Sequence, residues 1–150
     1  MAIIPQEDQD YLRNLFDEKL EQDVTLRFYT MHASPLSVPV QDCETCSDTH
    51  ELLNELVGLS DKLTLDIHDF YVERDAAAEA GIDEIPAIVL EGQNKGGVRF
   101  IGVPAGYEFA TLIEDLVDVS RGTTGLAAHS REVLAGLQDP VHIKVFVTPT

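Results

Sequence analysis

Apolar and polar positions along the chain switch repeatedly between a helical and a two-residue period. Leu12, Leu15, Phe16 and Leu20 recur at helical spacing within residues 6–20, which predicts a helix packed by one face. Residues 24–31 change to period two, with Val24, Leu26 and Phe28 on one side and Thr25, Arg27 and Tyr29 on the other, the pattern of a strand. Pro35, Pro39 and two serines mark 32–42 as a loop. From Cys46 onward Leu52, Leu53, Leu56 and Val57 restore the helical spacing, and Gly58 stands where a left-handed cap is expected. Leu63, Leu65 and Ile67 predict a second strand, and 74–80 a short Ala-rich helix closed by Gly81.

Residues 87–90 and 98–101 are strand-like and flank the turn-rich stretch 92–97, so they form an antiparallel hairpin. Phe109, Leu112, Ile113, Leu116 and Val117 make the stripe of a further helix ending near Arg121-Gly122. Beyond it, Leu126, Ser130, Val133, Leu134 and Leu137 predict a helix over 124–138, and 141–147 a strongly apolar strand. The whole reads as an α/β fold: a central mixed four-stranded sheet flanked by helices over 1–122, followed by a helix-strand extension over 123–150.

Composition narrows the function. With 150 residues and 44% hydrophobic content the chain suffices for one compact domain with a core and an appendage. Ten Lys and Arg against 27 Asp and Glu give a net charge of -17, which repels phosphate backbones and anionic lipid, so neither nucleic acid nor membrane is an expected partner. The start, Met1-Ala2-Ile3-Ile4-Pro5, has no basic residue followed by an apolar run of signal-peptide type, and a cytoplasmic location is expected.

Both cysteines lie in one CxxC, Cys43 and Cys46. A bond closing so short a loop contributes only about 2 kcal/mol by constraining the unfolded chain, so it is a poor staple, and redox chemistry or metal binding is the better reading. At a helix N-terminus unpaired N–H groups and the dipole favour a thiolate, which suits Cys43 as nucleophile. Cys46, one turn on, can then attack a mixed disulfide on Cys43 and release the reduced client. Cys43 is expected to be the more exposed of the two. Glu44 between them disfavours the thiolate, which points to a reducing or weakly oxidising couple. Half of a zinc site looks similar, with His50, His32 or His68 to complete it, but a positioned fourth ligand is missing. A non-catalytic binding module, in which the cysteine pair is merely tolerated or regulatory, is the alternative from another class.

Gly81-Ile82-Asp83-Glu84-Ile85-Pro86-Ala87, some forty residues after the CxxC, resembles the cis-proline segment of thioredoxins and glutaredoxins. The resemblance implies a cis Ile85–Pro86 bond beside Cys43, with Ile85 and Pro86 binding an extended substrate. Gly97-Val98-Arg99-Phe100-Ile101-Gly102-Val103-Pro104-Ala105-Gly106-Tyr107-Glu108-Phe109, and then Glu114-Asp115-Leu116-Val117-Asp118-Val119-Ser120-Arg121, are similar to the two-module glutaredoxin-like protein disulfide oxidoreductases. Val145-Phe146-Val147-Thr148-Pro149-Thr150 resembles the first strand of the second module in that family, ending just before its own CxxC would begin. The loop 32–42 is longer than the family's. The resemblance implies a thioredoxin-like fold and a protein disulfide oxidoreductase that cycles Cys43 and Cys46 on protein disulfides. Its electrons would come from a thioredoxin-reductase-like flavoenzyme, and no bound cofactor is needed. The apolar extension would need covering, for which a homodimer is expected.

Overall fold

The computed structural model describes residues 2–31, 43–94 and 97–147, so the expected loop at 32–42, His32 within it, lies outside the described residues. The element order is α1 (Gln6–Lys19), β1 (Val24–Thr30), α2 (Cys46–Val57), β2 (Leu63–Asp69), α3 (Arg74–Glu79), β3 (Ala87–Glu91), β4 (Val98–Ile101), α4 (Tyr107–Arg121) and α5 (Ala128–Ala135). The sheet runs β2-β1-β3-β4. β2 lies parallel to β1, while β3 lies antiparallel to both β1 and β4, so the sheet is mixed as the pattern predicted.

Alternation along β1 sorts the two faces of the sheet. Val24, Leu26 and Phe28, with Ile88 and Leu90 of β3, pack against Leu12 and Phe16 of α1, Leu53 and Leu56 of α2, and Leu112 and Leu116 of α4. Each fully buried side chain of this size contributes about 1.5–3 kcal/mol, so this face holds most of the stability. The other face is smaller: Tyr29, Ala87 and Val89 pack on Ala77 and Ile82 around α3. Away from α3 it becomes polar, where Arg27 meets Glu91 at 3.0 Å.

Two tertiary ties set the helices around the sheet. Ser120 of α4 is fully buried; its Oγ accepts from the Glu21 and Gln22 N–H groups and donates to the Gln22 carbonyl, which joins α4 to the entry of β1. The Glu55 carboxylate of α2 accepts the Ile3 and Ile4 N–H groups, each at 2.8 Å, which lashes the N-terminal segment to α2.

Three expectations need correction. Gly58 closes α2 with φ -66° and ψ -7°, an ordinary right-handed conformation, because the chain continues through another tight turn in which Leu59 N–H bonds Leu56 O. The last helix covers 128–135, shorter than 124–138, and buries no residue. Residues 141–147 form no strand: a strand exists only through its partner, and this segment pairs with nothing among the described residues, leaving Val141, Ile143, Val145, Phe146 and Val147 exposed.

Candidate active site

A crossover from β1 to parallel β2 must leave from the carboxyl end of β1, and that is where α2 and the cysteines follow. Cys43 and Cys46 are joined as a disulfide with their Cα atoms 5.5 Å apart. The expectation that Cys43 opens the helix is corrected by one turn. Cys46 is the first residue of α2, and Cys43 sits on the preceding turn, its carbonyl accepting the Cys46 N–H at 3.3 Å. Thr49 pins this turn from below, donating both its N–H and its hydroxyl to the Thr45 carbonyl.

The turn gives the two sulfurs unlike surroundings. Cys43 is partly exposed and Cys46 only 5% exposed, the order expected, because Cys46 already faces the sheet with Thr49, Leu52, Leu53 and Leu56. Glu44 and Thr45 between them are exposed.

The Ile85–Pro86 bond is cis. The β1–β3 ladder begins with Tyr29 opposite Ala87, so Ile85 lies just beyond its last rung, at the same carboxyl end of β1 as the cysteines. The Pro86 carbonyl accepts the Gly102 N–H at 2.8 Å, which holds the segment to the exit of β4, and the Ile85 side chain packs on the Tyr29 cluster. The segments carrying all four expected site residues thus lie at one end of the sheet.

His68 lies on the opposite face of the sheet, stacked on Tyr29, its Nδ1 2.7 Å from Glu73 and its Nε2 2.8 Å from Asp66. Burial opposes charging this ring but is outweighed by the hydrogen bonds and charges of Glu73 and Asp66, so its pKa lies above the ordinary 6.5. Its hydrogen bond to His68, foremost, holds Glu73 below its usual 4.5. Among the described residues no group of three His, Cys, Asp or Glu side chains has the arrangement of a metal site. His50 stacks on Phe28 instead, its ring centroid 6.0 Å away and the planes 18° apart. The spacing Cys46-x3-His50 is visible in the sequence, but nothing local to it announces the stack on Phe28.

No family model matches the chain. A curated relative, the AhpF component of alkyl hydroperoxide reductase in Xanthomonas campestris pv. phaseoli, is 29% identical over 111 residues, 74% of this chain and 19% of that protein. Among solved structures, the AhpF component of alkylhydroperoxide reductase in Enterococcus faecalis superposes with a TM-score of 0.71 at 22% identity, covering 89% of this chain and 61% of that one. A protein disulfide oxidoreductase from Aeropyrum pernix does so with a TM-score of 0.71 at 24% identity, covering 89% and 55%. The chain has a thioredoxin-like fold. Its resemblance to the protein disulfide oxidoreductases holds at the level of this fold, and the chain spans about a fifth of its curated relative and somewhat over half of these structures. No helix among the described residues is long and apolar enough to cross a membrane.

Proposed function

We propose that the chain is a thiol/disulfide oxidoreductase module that reduces or exchanges protein disulfides through Cys43 and Cys46. The observation that carries this is the unequal exposure of a bonded cysteine pair at the head of α2, supported by a cis Ile85–Pro86 bond at the same end of the sheet. Cys43 is the nucleophile, because a client sulfur can reach it; Cys46 is the resolving thiol, because it is shielded and one short turn away. Ile85 and Pro86 bind the client, since Ile85 stands beyond the end of the β3 ladder, where an extended segment can continue the pairing.

Similarity to a component of alkyl hydroperoxide reductase supports a place in a reductase system, with electrons delivered by a thioredoxin-reductase-like flavoenzyme. The module itself works without a bound cofactor. Units 1–122 and 123–150 are distinct in this reading, and the second mediates a homodimer in the cytoplasm. Support for the dimer comes from the exposed side chains at 141–147 and from a groove of about 750 Å³ between α1 and α4. That groove is lined by Leu12, Leu15, Phe109, Ile113 and Val117 and reaches Gly125, where the segment departs.

The test is insulin reduction followed with dithiothreitol, or with NADPH and a thioredoxin-reductase-like flavoenzyme. Turnover above the uncatalysed rate is expected in at least the first assay. A wild-type chain with no activity in either would leave Ile85-Pro86 a docking edge and the cysteine pair without a catalytic role.

A further inference from the structure

Resolution of a mixed disulfide requires Cys46 to lose its proton where little water reaches it, since it is 5% exposed. Burial in apolar surroundings holds a thiol protonated, so a nearby acceptor would speed the step. Among the described residues the Thr30, Thr49 and Ser120 hydroxyls are buried but are not bases, the Thr49 hydroxyl is committed to the Thr45 carbonyl, and the buried Tyr29 hydroxyl belongs to the other face of the sheet.

His50 is four residues after Cys46 on α2, which places the two Cβ atoms about 5–6 Å apart on one face. A helical side chain also leans toward the helix N-terminus and covers the preceding turn, here the turn of Cys46. Stacking on Phe28, which is fully buried on β1, holds the His50 ring in the seam between helix and sheet. Neither ring nitrogen has a hydrogen-bond or ion-pair partner among the described residues. The helical neighbours of His50 at three and four residues are Cys46, Ser47, Leu53 and Asn54. The sheet presents Phe28 of β1 and, on the same face of β2, Leu65, Ile67 and at the strand's end Asp69, the charged group of that face, whose Oδ1 accepts the Tyr71 and Val72 N–H groups.

We infer that His50 is the proton acceptor for the Cys46 thiol, directly or across one water, an inference that rests on the dithiol reading above. In the first step the Cys43 thiolate bonds one client sulfur, the client S–S bond breaks, and the departing thiolate takes a proton from solvent. In the second, Cys46 Sγ–H passes its proton to His50 while its sulfur bonds Cys43 Sγ. The Cys43–client bond breaks, and the second client thiolate recovers the proton from the imidazolium. The client disulfide has then gained two electrons and two protons, and the cysteine pair has become a disulfide.

The test uses the reduced full chain and Ellman's aromatic disulfide in stopped flow, where the first thionitrobenzoate released reports attack by Cys43 and the second reports attack by Cys46. His50→Gln is expected to slow the second release about tenfold or more at neutral pH, leave the first unchanged, and move the second-phase pH profile to higher pH. Added imidazole is expected to restore part of the second phase in His50→Ala. A second phase with unaltered rate and pH profile in His50→Gln would overturn the inference while leaving the dithiol reading intact. So would an equal slowing of both phases with a lowered melting temperature, which would mark His50 as a packing partner of Phe28 only. A wild-type chain that releases fewer than two equivalents would instead remove the dithiol reading itself.

Discussion

The two sulfurs differ by burial rather than by sequence neighbourhood, and the proposed roles rest on that difference. Cys43→Ser removes the only sulfur a client can reach and is expected to abolish turnover. Cys46→Ser leaves attack possible but resolution blocked, so a mixed disulfide should accumulate on non-reducing gels; the opposite pattern would exchange the roles. On the far face of the sheet, His68 and Glu73 form a pair whose contribution depends on pH. The raised His68 pKa contributes stability that is fully present below 6.5 and is lost as pH rises through the higher folded value. The lowered Glu73 pKa contributes stability that is fully present above 4.5 and is lost as pH falls through the lower folded value. Melting temperatures of wild type and Glu73→Gln should therefore differ most between about pH 4.5 and 6.5 and converge on both sides. A pH-independent gap would show that the pair does not couple to folding.

Glycines that look alike in sequence end their helices differently, and substitution should separate them. Gly122 closes α4 at φ +65°, and a Cβ there would lie 2.9 Å from Gln93 Cβ and 3.1 Å from its carbonyl oxygen. Gly122→Ala should cost about 1–2 kcal/mol for the left-handed backbone alone, and more for the clash. Gly58 has helical φ and ψ, and a Cβ there would meet only the carbonyl oxygens of Asn54 and Glu55, at 3.4 Å. Gly58→Ala should therefore stabilise the protein by about 0.4–1 kcal/mol, by restricting the unfolded chain. Urea midpoints at constant m-value would read both, and a shift of the same sign in the two variants would contradict this account.

At the scale of the whole molecule, charge and apolar surface are segregated. Residues 123–150 carry Arg131 and Lys144 against Glu132 and Asp139, a net charge of zero, so the full -17 belongs to residues 1–122. Two such bodies repel, whereas the neutral apolar extension can approach either one. The full chain is accordingly expected to sediment as a dimer, tightened by salt that screens the bodies. A version ending at Thr123 keeps Gly122 and the Thr123 N–H bond to Asp118, loses no buried residue from α5, and should sediment as a folded monomer. A monomer in both cases would rule out the extension as the dimer contact.

The helices and strands of residues 1–122 were legible because each declares itself locally: Leu12 and Phe16 recur on one helix face, and Leu26 and Phe28 alternate with Arg27 on a strand. The redox pair was legible as a CxxC, and the Ile85-Pro86 segment through a resemblance that the cis bond bears out. What the chain order could not decide was every matter of partnership between distant residues. Apolar alternation at 141–147 describes what a strand would need, but without a neighbouring strand no ladder forms. Whether Gly58 turned left or right depended on the path into β2, and whether His50 met a metal, solvent or a ring depended on which face of α2 the sheet covered. Periodicity is a property of neighbours in sequence; stacking, burial and pairing are set only when the sheet brings together residues that the chain holds far apart.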